Sequence, residues 1–188
     1  MALVEKLRPI TVEEYLEGEK SSDVRHEYVA GAVYAMAGAS GLHNLIALAF
    51  ATGLRQHLRG SPCRVFMSDM KVRVRDAFYY PDLVVVCGAI DAGAYYQTAP
   101  TLVIEILSES TEARDRLEKR LAYQSLESLQ EYVLVTQDKM RVEVYRRIED
   151  GWQIETYSYG DRVRFTSINY EAAIEQLYED AQGYLGEK

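Results

Sequence analysis

Two short runs constrain this chain more than any other feature: Leu83-Val84-Val85-Val86-Cys87 and Leu102-Val103-Ile104-Glu105-Ile106-Leu107. Apolar runs this dense, without polar alternation, read as strands buried on both faces. The fold must therefore place cover on both sides of the sheet that holds them. Each run also carries an acid. Asp82 follows Pro81 and opens the first, and Glu105 interrupts the second. A carboxylate inside an apolar strand is costly unless a cation, a metal or several donors meet it. The two strands lie about one hairpin apart, so both acids are expected to serve the same centre, with a divalent metal as the simplest occupant.

Local signals fill in the rest. Thr11 with Glu14 has capping-box spacing and opens a short helix. Residues 26–37 read as a hairpin turning at Ala30-Gly31. Leu42, Leu45, Ile46, Ala49, Phe50, Leu54 and Leu58 repeat at helical spacing over 42–58. Strands are expected at about 63–74, 81–87 and 101–107, then a helix over about 111–128 capped by Ser110 or Thr111. Further strands follow at about 131–136, 141–147, 152–159 and 162–166, with a last helix over 169–180. Short β-β connections make antiparallel pairs, so the class is α+β or mixed α/β, not a doubly wound parallel sheet. The length, 188 residues, fits one domain over 1–188. No glycine-rich phosphate loop lies at a strand-to-helix junction.

Charge and cysteine content narrow the function classes. The net charge of −8 argues against nonspecific coating of nucleic acid. The basic residues nevertheless gather near the two odd acids, at Arg64, Lys71, Arg73 and Arg75 and again at Arg114, Arg116, Lys119 and Arg120. Strand-edge protection is the alternative reading of those bases. Cys63 and Cys87 have no metal-type spacing and read as small core residues without a disulfide, which fits a reducing cytoplasmic compartment. Residues 1–9 hold no apolar signal core. Tyr28 to Leu54 lacks charge over a length that would span a bilayer, but its glycines, His43 and Asn44 split it into hairpin and helix, so no membrane span is expected.

The candidate chemistry builds on Asp82 and Glu105. Their hard oxygens suit Mg²⁺ or Mn²⁺, with the main-chain carbonyl of Ile106 as a third ligand and waters completing the set. Such an ion lowers the pKa of a water and offsets charge on a phosphate, which serves phosphodiester hydrolysis. Asp115 and Lys119 continue the buried stripe of the following helix and point toward the Glu105 strand; the alternative is an exposed i,i+4 ion pair. His43 shares a face with Ala47, Phe50 and Leu54, either as a satisfied core histidine or as an aid to proton transfer. Glu27 is a further candidate or a surface carboxylate. Asp69 shares a strand face with Met67 and Lys71, as a structural acceptor or the partner of Lys71. Tyr79, Tyr80, Tyr95 and Tyr96 flank loops, for packing or for stacking on bases. Trp152 reads as core.

Taken together, these residues resemble the Uma2 (DUF820) family of the PD-(D/E)XK nuclease superfamily. The matching stretches are His26-Glu27-Tyr28-Val29-Ala30-Gly31, Ala37 to His43, Ser68-Asp69-Met70-Lys71-Val72, Tyr80-Pro81-Asp82-Leu83-Val84-Val85, Val103-Ile104-Glu105-Ile106-Leu107-Ser108 and Asp115-Arg116-Leu117-Glu118-Lys119. The resemblance covers nearly the whole chain. It implies a restriction-endonuclease-like αβββαβ core and Mg²⁺-dependent hydrolysis of nucleic acid, DNA before RNA, by a homodimer. Asp82 and Glu105 match the family's metal-binding acids, and His43 matches a histidine of the Uma2 pattern. The superfamily's lysine stands two residues after the second acid, where this chain has Leu107; Lys119 is the expected substitute. The alternative function is a nuclease-like domain that binds nucleic acid or a protein partner without cutting.

Overall fold

The computed structural model describes residues 8–91 and 93–185. Helix α1 (Val12–Ser21) starts where expected, with Thr11 and Glu14 forming a reciprocal capping box. Strands β1 (His26–Val29) and β2 (Ala32–Ala35) make the hairpin. Its two turn residues, Ala30 and Gly31, both have positive φ, the requirement of a two-residue hairpin turn. Helix α2 (Gly41–His57) follows behind its Ser40 cap. Next come β3 (Cys63–Met67), β4 (Lys71–Val74), β5 (Ala77–Tyr79), β6 (Leu83–Cys87), β7 (Tyr96–Gln97) and β8 (Leu102–Ile106). The helical segment after β8 is α3 (Glu112–Arg114), a π-turn (Asp115–Lys119) and α4 (Arg120–Gln124). Strands β9 (Glu131–Val135), β10 (Arg141–Ile148), β11 (Gly151–Ser158), β12 (Arg162–Phe165) and β13 (Tyr170–Ala173) lead to the short α5 (Ile174–Leu177).

The central sheet runs β11-β10-β9-β8-β6-β3, antiparallel throughout except for the parallel β8–β9 pair. This is a mixed α/β architecture, and α2-β3-β6-β8-helix-β9 supplies the αβββαβ core. Leu83, Val85, Leu102, Ile104 and Ile106 project to one face, against Ile46, Phe50 and Leu54 of α2 and the C-terminal Phe165, Ile174 and Tyr178. Val84, Val86, Val103 and Leu107 project to the other, against Tyr79, Tyr123, Tyr132 and Val72. Both apolar runs are thus covered on both faces. A second sheet, β2-β1-β5-β4-β7, packs over the latter face, with Tyr15 of α1 on Tyr28 and Phe78.

Five expectations need correction. The strand expected over 63–74 breaks at Ser68-Asp69-Met70, where Asp69 adopts φ of +79°; β4 then leaves the central sheet for the second one, and Asp69 no longer shares a face with Met67 and Lys71. The helix expected over 111–128 ends at Gln124 and contains a π-turn, and Thr111 makes no side-chain cap. The helix expected over 169–180 is β13 plus short turns, because Tyr170 and Ala172 alternate inward with Glu171 outward and pair with β12. Trp152 is only half-buried, under the Arg147 guanidinium at 4.5 Å.

The fifth correction concerns the cysteines. Cys63 and Cys87 face each other across β3 and β6 and form a disulfide. Sequence spacing alone does not reveal a cross-strand pair, because register decides it. The expectation of a reducing compartment loses its support with that bond. Denatured, unreduced protein is expected to show no thiols, and reduced protein two. Cys63→Ser is expected to cost about 3 kcal/mol for a loop of this span. Two free thiols in the unreduced protein would contradict the pairing. No helix among the described residues is long and apolar enough to cross a membrane. Residues 1–7 of the segment read for a signal core lie outside the described residues.

Candidate active site

Asp82 sits at the mouth of β6, where Pro81 has no N–H to offer the ladder. Its Oδ2 accepts from the Ile106 N–H at 2.7 Å, and its Oδ1 lies 2.9 Å from His43 Nε2. The carboxylate accepts, so His43 carries its proton on Nε2 in this arrangement. His43 stands in the first turn of α2, where its own N–H donates to Ser40 Oγ. Its Nδ1 lies 3.5 Å from the Gln137 amide, which also donates to the Leu107 carbonyl at 2.6 Å. Ser40 Oγ donates to Gln137 Oε1 at 3.0 Å. One residue's N–H and C=O lie on the same edge of a strand, so the Ile106 carbonyl is on the edge that Asp82 faces.

The second half of the site is a buried box of charge. Lys119 Nζ lies 3.0 Å from Glu27 Oε1, 3.3 Å from Glu105 Oε1 and 3.1 Å from Asp115 Oδ1. None of these four side chains is more than 7% exposed. The Tyr123 hydroxyl adds a donor to Glu105 at 3.4 Å. Glu27 comes from the second sheet, where it also takes Arg114 Nη1 at 2.7 Å and the Tyr80 N–H at 3.3 Å. Asp115 and Lys119 bound the π-turn, and Tyr132 OH donates to the Asp115 carbonyl at 2.9 Å from outside the helix. Such turns recur at functional sites.

Electrostatics explain why this box is unusual. Burial pushes the Glu105 carboxyl well above its ordinary range; Lys119 opposes the shift, and Asp115, Asp82 and Glu27 reinforce it. Burial also raises Asp115, against Lys119 and Thr111. Lys119 is desolvated, yet its three carboxylates hold its pKa above the ordinary lysine value. Glu131 makes a useful contrast. It is fully buried at the start of β9, but Arg146 and the N–H groups of Thr166 and Ser167 satisfy it, so its role is to fasten the C-terminal segment.

The structure therefore gathers Glu105, Lys119, Asp115 and Glu27, and sets Asp82, His43 and the Ile106 backbone together beside them. Glu27 is a buried member, not a surface acid. Asp69 stands apart, exposed and paired with Arg25 at 3.0 Å. Arg114, Tyr123 and Gln137 belong to the surroundings of the site; Arg114 is one of the bases gathered near the two acids in the sequence, and the other two carry no sequence signal. Gln137 sits in a turn without periodicity, and Arg114 reads as a helix-surface base.

The donor set fits a divalent cation. Glu27, Asp82, Glu105 and Asp115 face two cations, Lys119 and Arg114. With all four acids counted as ionised, the imidazole as neutral and Arg114 shared with Glu118, the group is short of at least two positive charges. Asp115 Oδ1 is buried without an aligned hydrogen bond, although Lys119 Nζ lies within ion-pair distance. All candidate ligands are hard oxygens, as Mg²⁺ and Mn²⁺ prefer. Among the described residues no three His, Cys, Asp or Glu side chains form a ready-made cage, so a main-chain oxygen and waters would have to share the coordination.

The profile of Uma2, described as "Putative restriction endonuclease", matches residues 12–173. "Uncharacterized protein slr1290" of Synechocystis is 37% identical over 177 residues, 92% of each chain. "Uncharacterized protein sll1609" of the same organism is 29% identical over 166 residues, 86% of this chain and 94% of that one. A solved structure from Anabaena variabilis, titled a "putative nuclease belonging to DUF820", matches with a TM-score of 0.76 at 22% identity, covering 91% of this chain and 98% of that one. At that identity the likeness speaks for the fold.

Proposed function

The chain belongs to the Uma2 family of restriction-endonuclease-like proteins, and from that premise we propose that it is a metal-dependent endonuclease that hydrolyses phosphodiester bonds in DNA. One observation carries the reading: a buried lysine shared by three acids, beside a fourth acid held on a histidine, with more carboxylates than cations in the cluster. A structural ion-pair cluster has no need of that excess.

Asp82, Glu105 and the Ile106 carbonyl would hold Mg²⁺ or Mn²⁺. When bound, the ion lowers the pKa of a water and offsets charge on the phosphate. Lys119 supplies a fixed positive charge next to Glu105, orienting the attacking water or stabilising charge that develops on the phosphate. Glu27 and Asp115 hold that ammonium in place. Asp82 and Gln137 orient the His43 ring, which stands ready to pass a proton. Lys119 thereby takes the part of the strand lysine whose position is occupied by Leu107. By family analogy the reading extends to a homodimer, with one such site for each strand of a duplex.

The test is cleavage of supercoiled plasmid and of single-stranded DNA and RNA. Nicking is expected with Mg²⁺ or Mn²⁺ and not with EDTA. A protein that binds DNA yet leaves every substrate intact would overturn this reading and favour the non-cleaving domain, for which Leu107 in the lysine position is the supporting observation.

A further inference from the structure

A cavity of about 660 Å³ opens between α1, β4, Tyr80 and the segment around β7. Lys71, the first residue of β4, lines it and is 6% exposed. Its ammonium donates to the Tyr80 hydroxyl at 3.2 Å and lies 5.1 Å from the centre of that ring. Among the described residues no carboxylate pairs with it, and two of its three N–H donors have no acceptor. The acids of the cavity are engaged elsewhere. Glu19 accepts from Tyr80 OH at 2.9 Å and from the His26 N–H at 2.8 Å. Asp69 holds Arg25, and Asp91 accepts the Gly93 N–H at 2.8 Å.

A buried ammonium with no carboxylate in direct contact is expensive. Burial holds its pKa below the ordinary lysine value, with Glu19 and Asp69 opposing and Arg25 adding to the shift. An anion entering the cavity would remove that cost. The volume lies in the range of small-molecule sites. Tyr95 stands in its wall with 68% of its surface exposed, an unused aromatic face of the kind on which bases stack. One residue of the cavity wall, Tyr80, is also bonded to the site described above. Tyr80, which anchors Lys71, donates its N–H to Glu27 at 3.3 Å and lies two residues before Asp82.

We propose that this cavity is a nucleotide subsite, in which Lys71 takes a phosphate of the nucleic-acid strand and Tyr95 stacks on the adjoining base. The proposal rests on the nuclease reading for its substrate class. It assigns substrate positioning to residues outside the metal centre.

The experiment measures anisotropy of a short fluorescein-labelled oligothymidylate in EDTA, across a salt series, with folding of each variant checked by circular dichroism. Lys71→Met and Tyr95→Ala are each expected to weaken binding about tenfold. Lys71→Met should also lower the salt slope by about 0.7, the single-strand value for one lost phosphate contact. Lys71→Arg should retain most of the affinity. If Lys71→Met fails to fold, the exposed Tyr95 decides through Tyr95→Ala. Wild-type affinity and salt slope in both variants would overturn the subsite, as would equal displacement of the oligonucleotide by polyglutamate. The two readings fail separately: Lys71-dependent binding without any cleavage keeps the subsite, and undiminished binding with full cleavage removes it.

Discussion

Lys119→Ala is expected to destabilise the metal-free protein by about 3–5 kcal/mol near neutral pH, the cost of leaving a buried charge cluster without its counter-ion. The lysine is the shared partner of Glu27, Glu105 and Asp115. Without it only Arg114 remains, and it reaches Glu27 alone among the three. The direction of the pH dependence follows. The Glu105 carboxyl is already raised in the folded state, and Lys119 is the group that opposes the rise. A folded acid with a raised pKa binds more protons than the unfolded chain, so stability falls as pH rises above the unfolded value. The variant should therefore lose stability more steeply than the wild type as pH rises above the ordinary carboxylate range. Guanidinium denaturation in EDTA at several pH values checks this. A change within about 0.5 kcal/mol, the range of an ordinary surface substitution, would show that the box is not a charge cluster held by Lys119.

Asp82→Ala and Glu105→Gln are expected to reduce plasmid cleavage by about a thousandfold or more, since metal-derived charge stabilisation amounts to several kcal/mol and each tenfold in rate is about 1.4. The stability of Glu105→Gln should move the other way or not at all. The substitution removes a desolvated charge while Lys119 keeps Glu27 and Asp115. Loss of activity in a protein as stable as the wild type marks an acid retained for function. Full cleavage by Glu105→Gln would remove Glu105 from the reaction.

Much of this was legible in the chain because two constraints were local. Two-faced burial follows from the unbroken Val, Ile and Leu of β6 and β8, and an acid in such a strand signals cost wherever the strand lies. The inward stripe of Asp115 and Lys119 likewise survives the π-turn, because both residues remain on one side of it. Other features depended on long-range pairing. Asp69 at positive φ sends β4 into a different sheet, and nothing in the apolar pattern of 63–74 marks that break. The Cys63–Cys87 bond depends on the register of β3 against β6. Glu27 is buried because the second sheet lies over the central one, a packing no hairpin signal encodes. Glu131 shows the converse: it is equally buried, fully satisfied and structural, so burial of an acid points to chemistry only when its charge is left uncompensated.

The most direct measurement is diffraction from crystals soaked in Mn²⁺. One anomalous peak is expected at bonding distance from carboxylate oxygens of both Asp82 and Glu105, with the Lys119 ammonium still beside Glu105. Soaked crystals with no peak between these acids, and with the charge box unchanged, would contradict a shared metal site.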